Sequence, residues 1–156
     1  MRILILAVGR LGRDPAAALA RDYAERATAT GRALGLGPAE IVEVEAKKPG
    51  KAAEAEALRA AIGADPAYLI ACDERGKVHT SRAFAERVGK LRDSGERRLV
   101  FVIGGADGLD PDLVGQARET LAFGPQTWPH ALARAMLAEQ VYRAATILAG
   151  GPYHRD

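Results

Sequence analysis

Residues 2–8 read RILILAV, an aliphatic run with no polar alternation. A strand of this kind is covered on both faces, as in a parallel sheet packed between helices. Asp14-Pro15 follows closely, a residue able to cap a helix and a proline suited to its first turn. The pairing recurs: residues 98–103 form another apolar run, and Asp110-Pro111-Asp112 repeats the cap and the proline. Apolar strands separated by single helices restrict the chain to an α/β fold with a parallel sheet.

The other segments fit this scheme. A helix is predicted over 15–34, with Leu19, Tyr23 and Ala27 near one face, stopped by Gly35 and Gly37-Pro38. Residues 40–45 (EIVEVE) alternate, so they form a strand with one wet face near a sheet edge. A basic turn, Lys47 to Lys51, leads into a helix over 52–62. Residues 67–72 form another strand, and 73–77 (DERGK) a loop. Ser81 is positioned to cap a helix reaching Asp93, with Phe84, Val88 and Leu91 on one face. Residues 120–123 form a short strand. The closing helix, 129–148, carries Leu132, Met136, Val141 and Leu148, which suit either a core or a second copy of the chain. The expectation is a five- to six-stranded, mostly parallel sheet flanked by helices, with 1–156 as one domain.

In a parallel sheet the strand-to-helix loops share the carboxyl edge, where ligands bind. Those loops carry Arg10 and Arg13, then Lys47, Lys48 and Lys51, then Arg75 and Lys77, and finally Gly104-Gly105. The net charge is only +2, from 22 basic and 20 acidic residues, so bulk charge does not mark a nucleic-acid protein. Placement could still make one edge basic and suited to a phosphate-bearing partner. Solvated loop charge explains the same residues.

Several chemistries are excluded. Gly104-Gly105-Ala106-Asp107-Gly108 lacks the dinucleotide-binding spacing and the chain has no phosphate-loop motif, which disfavours a nucleotide-dependent enzyme. Taken alone, these glycines fit a plain turn equally well. The histidines, His79, His130 and His154, are far apart and no metal-ligand spacing occurs. The single Cys72 can form no internal disulfide, which fits a reducing cytoplasm. No segment approaches the ~20 apolar residues of a membrane span.

Four motifs occur in order. They are Phe101-Val102-Ile103-Gly104-Gly105 with Gly108-Leu109, Trp128-Pro129-His130 with Arg134, Glu139-Gln140-Val141-Tyr142-Arg143-Ala144, and the terminal Tyr153-His154-Arg155. Together with Leu6-Ala7-Val8-Gly9 they resemble the bacterial RlmH family, the 23S rRNA (pseudouridine-N3)-methyltransferases of the SPOUT superfamily. The resemblance covers the whole chain. It implies a C-terminal trefoil knot, a homodimer and S-adenosyl-L-methionine as cofactor. It further implies a pseudouridine in a hairpin loop of 23S rRNA as target, on the assembled ribosome, with neither DNA nor membrane among the partners.

Carried onto this sequence, the resemblance assigns Cys72, Gly104 and the loop Phe123, Gly124, Pro125, Gln126, Thr127 and Trp128 to the cofactor. The family more often has leucine where this chain has Cys72. Tyr153, His154 and Arg155 would reach the partner's site. His154, Tyr153 and Arg134 become catalytic candidates, with His154 the titratable choice for a base and Arg134 for the RNA or its target base. Arg155, Arg143, Tyr142, Arg10 and Lys48 become RNA contacts. A non-catalytic RNA- or ribosome-binding module using the same basic edge is the alternative.

Overall fold

The computed structural model describes residues 1–155. Its elements are β1 (Arg2–Val8), α1 (Pro15–Gly31), a 3-10 turn (Arg32–Leu34), β2 (Ala39–Val44), α2 (Lys51–Ile62), β3 (Tyr68–Val78), α3 (Ser81–Asp93), β4 (Arg98–Ile103), α4 (Pro111–Gln116), β5 (Glu119–Ala122) and α5 (His130–Leu148). The five strands run in the order β2-β1-β4-β3-β5, and every pairing is parallel. The alternating strand β2 is an edge strand, as its pattern predicts, and Val42 is exposed on it.

Both sheet faces are buried, as the unbroken runs require. Ile3, Ile5, Ala7, Leu99 and Phe101 pack with α1, α3 and α5. Leu4, Leu6, Val8, Val100 and Val102 pack with Leu58 of α2 and Leu113 of α4. Asp14 and Asp110 cap α1 and α4 with their carboxylates, as predicted. Thr80, not Ser81, caps α3, because its hydroxyl accepts from Ala83 N at 3.1 Å.

Two departures shape the site. The stretch 73–77, expected as a loop, is a continuation of β3. The register slips between Cys72 and Lys77, and both pair with Leu121. Residues 73–76 therefore bulge from the ladder, as an excess of residues on one strand requires. Gly76 makes the bulge fit, since a Cβ there would lie 2.7 Å from the Leu121 backbone.

The other departure concerns α1 and α5. The core stripe of α1 is alanine, Ala16, Ala20, Ala24 and Ala27, and α5 meets the core with Ala133, Leu137, Ala138, Val141 and Ala144. Small side chains let two helices approach closely. Leu19 and Leu132, expected on apolar faces, remain 46% and 45% exposed. With Val78, Met136 and Phe123 they line a groove of about 440 Å³.

Candidate functional site

At the carboxyl ends of β3, β4 and β5 the chain encloses a cleft of about 810 Å³. Cys72 and the β3 bulge form one wall, the 104–109 loop another, and Phe123 with 126–130 a third. Of the residues expected at the cofactor, Cys72, Gly104, Phe123, Gln126, Thr127 and Trp128 line this cleft. Gly124 lines the neighbouring apolar groove instead, and Pro125 is exposed in the same loop. Lys51, read as part of the basic edge, faces the cleft from the start of α2, and the sequence reading missed the bulge residues Asp73 and Glu74, which also face it. A bulge cannot be seen without its partner strand.

Gly104 is required by close packing. A Cβ on it would lie 2.6 Å from the Gly108 carbonyl carbon and 2.8 Å from Leu109 N. The loop folds tightly over this residue, with Gly108 N donating to Gly105 O at 3.0 Å. Across the cleft, the Thr127 hydroxyl donates to Glu74 Oε2 at 2.9 Å and ties the 123–129 loop to the bulge. Arg75 Nε donates to Asp73 Oδ1 at 3.0 Å and holds the Asp73 carboxyl below the usual carboxylate range. Burial pushes the Cys72 thiol up to about 12. Cys72 is therefore a neutral, apolar wall residue and no nucleophile.

Arg134 lies where the sequence reading did not place it. It is 1% exposed. Its Nη2 donates to Val8 O, and its Nη1 donates to Glu43 Oε1 at 3.2 Å. Glu43 Oε1 also accepts from Leu11 N at 3.0 Å. The guanidinium, expected to serve catalysis and to meet the RNA or its target base, is buried and locks the β1 exit to α5. Burial also lowers its affinity for protons, partly offset by Glu43 and Asp14. His130 Nδ1 sits 3.4 Å from Arg134 Nη2, while His130 lines the cleft. No sequence spacing links Glu43 to Arg134, because β2 and α5 meet only in the fold.

The basic edge is partly neutralised. Arg10 pairs with Glu45 at 3.1 Å, and Arg75 pairs with Asp73, whereas Lys47 and Lys48 are exposed. The tail folds back on α5. Tyr142 packs against Tyr153 with ring centroids 4.6 Å apart, and Arg143 lies 4.6 Å above the Tyr153 ring. Tyr142 and Arg143, expected as RNA contacts, are thus engaged in seating the tail, whereas Arg155 is exposed. The tail residues 153–155 are not among the residues lining the cleft.

A family described as predicted SPOUT methyltransferase matches residues 1–154. The chain belongs to the SPOUT methyltransferase family. Within it, this SPOUT methyltransferase is 74% identical to a protein of Caulobacter sp. (strain K31) over all of both chains, and 72% identical to one of Phenylobacterium zucineum (strain HLK1), also over all of both. Each relative is named ribosomal RNA large subunit methyltransferase H, which places the chain in the RlmH branch. Its fold is similar to a probable methyltransferase from Bordetella pertussis Tohama I, with a TM-score of 0.54 at 16% identity over 92% of this chain and 96% of that one. Among the described residues no helix is long and apolar enough to cross a membrane, and no group of His, Cys, Asp and Glu could hold a metal.

Proposed function

We propose that the chain, as one domain, methylates N3 of a pseudouridine in a hairpin loop of 23S rRNA, using S-adenosyl-L-methionine, on the assembled ribosome in the cytoplasm. The observation that carries this reading is the cleft at the carboxyl edge of the sheet in a chain matched end to end by rRNA methyltransferases. The cofactor fits the residues present. Cys72, Ile103 and Leu121 offer apolar wall for an adenosine, and the tight 104–109 loop lines the cleft beside it. Gly104, Phe123, Thr127 and Trp128 would hold it. When bound it supplies an electrophilic methyl group.

What remains for the protein is alignment. Methyl transfer is an in-line displacement, so a close, oriented approach of N3 to the methyl supplies much of the rate. The Thr127–Glu74 bond fixes two cleft walls relative to each other, which serves that alignment. The exposed Lys47 and Lys48 are suited to rRNA phosphates, with Arg155 on the tail.

A homodimer is supported by the groove of Leu19, Val78 and Leu132, all exposed, which borders the Phe123-Gly124 turn of the cofactor loop. The trefoil knot belongs to the same proposal: the 104–109 and 123–129 loops that build the cleft are where the family ties its chain.

Two measurements test the reading. Calorimetry should show S-adenosyl-L-methionine binding to the folded protein. Mass spectrometry of rRNA from a deletion strain should show one pseudouridine lacking its methyl, restored by this chain. Ribosome association without methylation would favour the non-catalytic module.

A further inference from the structure

The first turn of α2 stands at the edge of the cleft. Lys51 opens the helix and lines the cleft. Glu54 follows three positions later, so the two side chains share a face of the helix, with Cβ atoms about 5–6 Å apart. Arg75, which also lines the cleft, pairs with Asp73 at 3.0 Å, but Lys51 has no ion pair among the described residues. The N-cap of α2 is Gly50, so no side chain covers the first N–H groups of the helix, and these favour an anion beside Lys51.

Glu54 is half-buried. Its Oε2 is shut off from water and has no hydrogen-bond partner among the described residues. A buried acceptor without a donor destabilises the chain that carries it, which calls for a donor brought in from outside. The carboxylate lies against Gly105, which lines the cleft: a Cβ there would stand 2.9 Å from Glu54 Oε1 and 3.2 Å from Oε2. Gly105 is therefore glycine for a different reason from Gly104. At Gly104 the obstacle is backbone, and at Gly105 it is the carboxylate that the missing side chain leaves room for.

A cation and a carboxylate side by side, neither of them paired, complement a zwitterion. S-adenosyl-L-methionine carries one, because the carboxylate and the ammonium of its methionine end share one carbon. We propose that the first turn of α2 is the subsite for this amino-acid end, with Lys51 and the helix N–H groups taking the carboxylate and Glu54 taking the ammonium. The inference rests on the proposed function, in which the adenosine lies against Cys72, Ile103 and Leu121. The chain passes from Ile103 straight into Gly104 and Gly105, so the cofactor runs from the adenosine wall across the glycine pair to α2.

Holding both ends of the molecule fixes the sulfonium between them and keeps its methyl in one direction. Lys51 and Glu54 bind and orient, and take no part in the transfer itself. A nucleoside without the amino-acid end leaves both charges unpaired, which makes the site selective for that end.

Calorimetry on the full-length protein tests the subsite. S-adenosyl-L-methionine and S-adenosyl-L-homocysteine carry the amino-acid end, whereas 5′-methylthioadenosine is a neutral thioether like the latter but lacks it. Lys51→Met and Glu54→Gln should each weaken the first two about fivefold or more, the scale of a charge-assisted bond, and leave 5′-methylthioadenosine within about twofold. Decarboxylated S-adenosylmethionine keeps only the ammonium, so Glu54→Gln should weaken it and Lys51→Met should not; the opposite pattern overturns the pairing. Gly105→Ala, whose Cβ has the movable carboxylate of Glu54 as its nearest neighbour, should follow Glu54→Gln.

The melting temperature of Glu54→Gln should not fall, because the free protein gives the buried oxygen no donor to lose. A large drop shows that the carboxylate serves the fold and overturns the proposal. Equal weakening of 5′-methylthioadenosine and S-adenosyl-L-homocysteine shows an effect on the shape of the cleft and overturns it, as does unchanged affinity for all of them. Weaker ribosome binding of Lys51→Met with cofactor affinity intact gives Lys51 to an RNA phosphate and overturns it as well. A folded parent protein that binds none of these nucleosides defeats the proposed function itself, and the subsite with it.

Discussion

Thr127 and Glu74, 53 positions apart in sequence, meet across the cleft in a 2.9 Å hydrogen bond. The bond joins the turn before α5 to a strand bulge that exists only because β3 carries extra residues opposite Leu121. Both partners are exposed, so the bond adds little to stability, about 0.5–1 kcal/mol. Its consequence is geometric. Thr127→Val should weaken S-adenosyl-L-methionine binding several-fold while the melting temperature stays nearly unchanged. Calorimetry and a thermal melt on the same sample check this, and unaltered affinity would show that the bulge and the loop hold their places independently.

Gly104 should tolerate no side chain. The obstacle is the backbone of Gly108 and Leu109, at 2.6 to 2.8 Å from a Cβ, and backbone cannot rotate away as a side chain can. Gly104→Ala should therefore spread the loop, costing about 1–3 kcal/mol in urea denaturation. Cofactor affinity should fall at least tenfold. The injury is to the loop's own fold before it is to the cofactor, so a stable variant with lost affinity would contradict it.

The Arg134–Glu43 pair should respond unequally to its two deletions. Glu43→Ala leaves a guanidinium that is 1% exposed without its carboxylate, and leaves Leu11 N without an acceptor. Glu43 keeps 34% of its side chain exposed, so water can replace part of what it supplies, and the loss stays below that of a fully buried pair, at about 2–3 kcal/mol. Arg134→Met removes the buried charge itself and leaves Val8 O unpaired, a penalty of about 1–3 kcal/mol. Denaturation of both variants checks the order. If Arg134→Met proves the more damaging, the residue does more than lock β1 to α5.

Cys72 sets a pH dependence. Its thiol is raised from 9.0 to about 12 by burial. Below pH 9 both the folded and unfolded chains keep the proton, and the thiol adds no slope. As pH rises from 9 toward 12 the unfolded chain loses the proton first, so stability falls, by up to about 1.4 kcal/mol per pH unit. Urea denaturation at pH 8 and pH 10.5 should show this loss in the parent and less of it in Cys72→Ala. Equal losses in the two proteins would mean that other groups carry the alkaline dependence.

The sequence by itself determined the frame of this protein. Unbroken runs such as RILILAV had to be covered on both faces, and single helices between them had to cross back, so a parallel sheet with its loops on one edge followed from local pattern alone. The alternation of EIVEVE placed β2 at an edge, and Asp14-Pro15 and Asp110-Pro111 set helix starts. The four ordered motifs carried the family, and the resemblance pointed to Cys72, Gly104 and Phe123, which line the cleft. What only the tertiary structure decided depends on partners distant in the chain. DERGK looks like a loop until Leu121 pairs with both Cys72 and Lys77. Leu19 looks like core until the alanine stripe of α1 meets α5 and turns it outward. Nothing in the helical spacing around Arg134 shows that Glu43 and Val8 O enclose its guanidinium, or that Arg143 reaches the ring of His154. Periodicity reports how a residue faces its own element. Protonation state and direction of hydrogen bonding are set by neighbours that only the folded chain brings together.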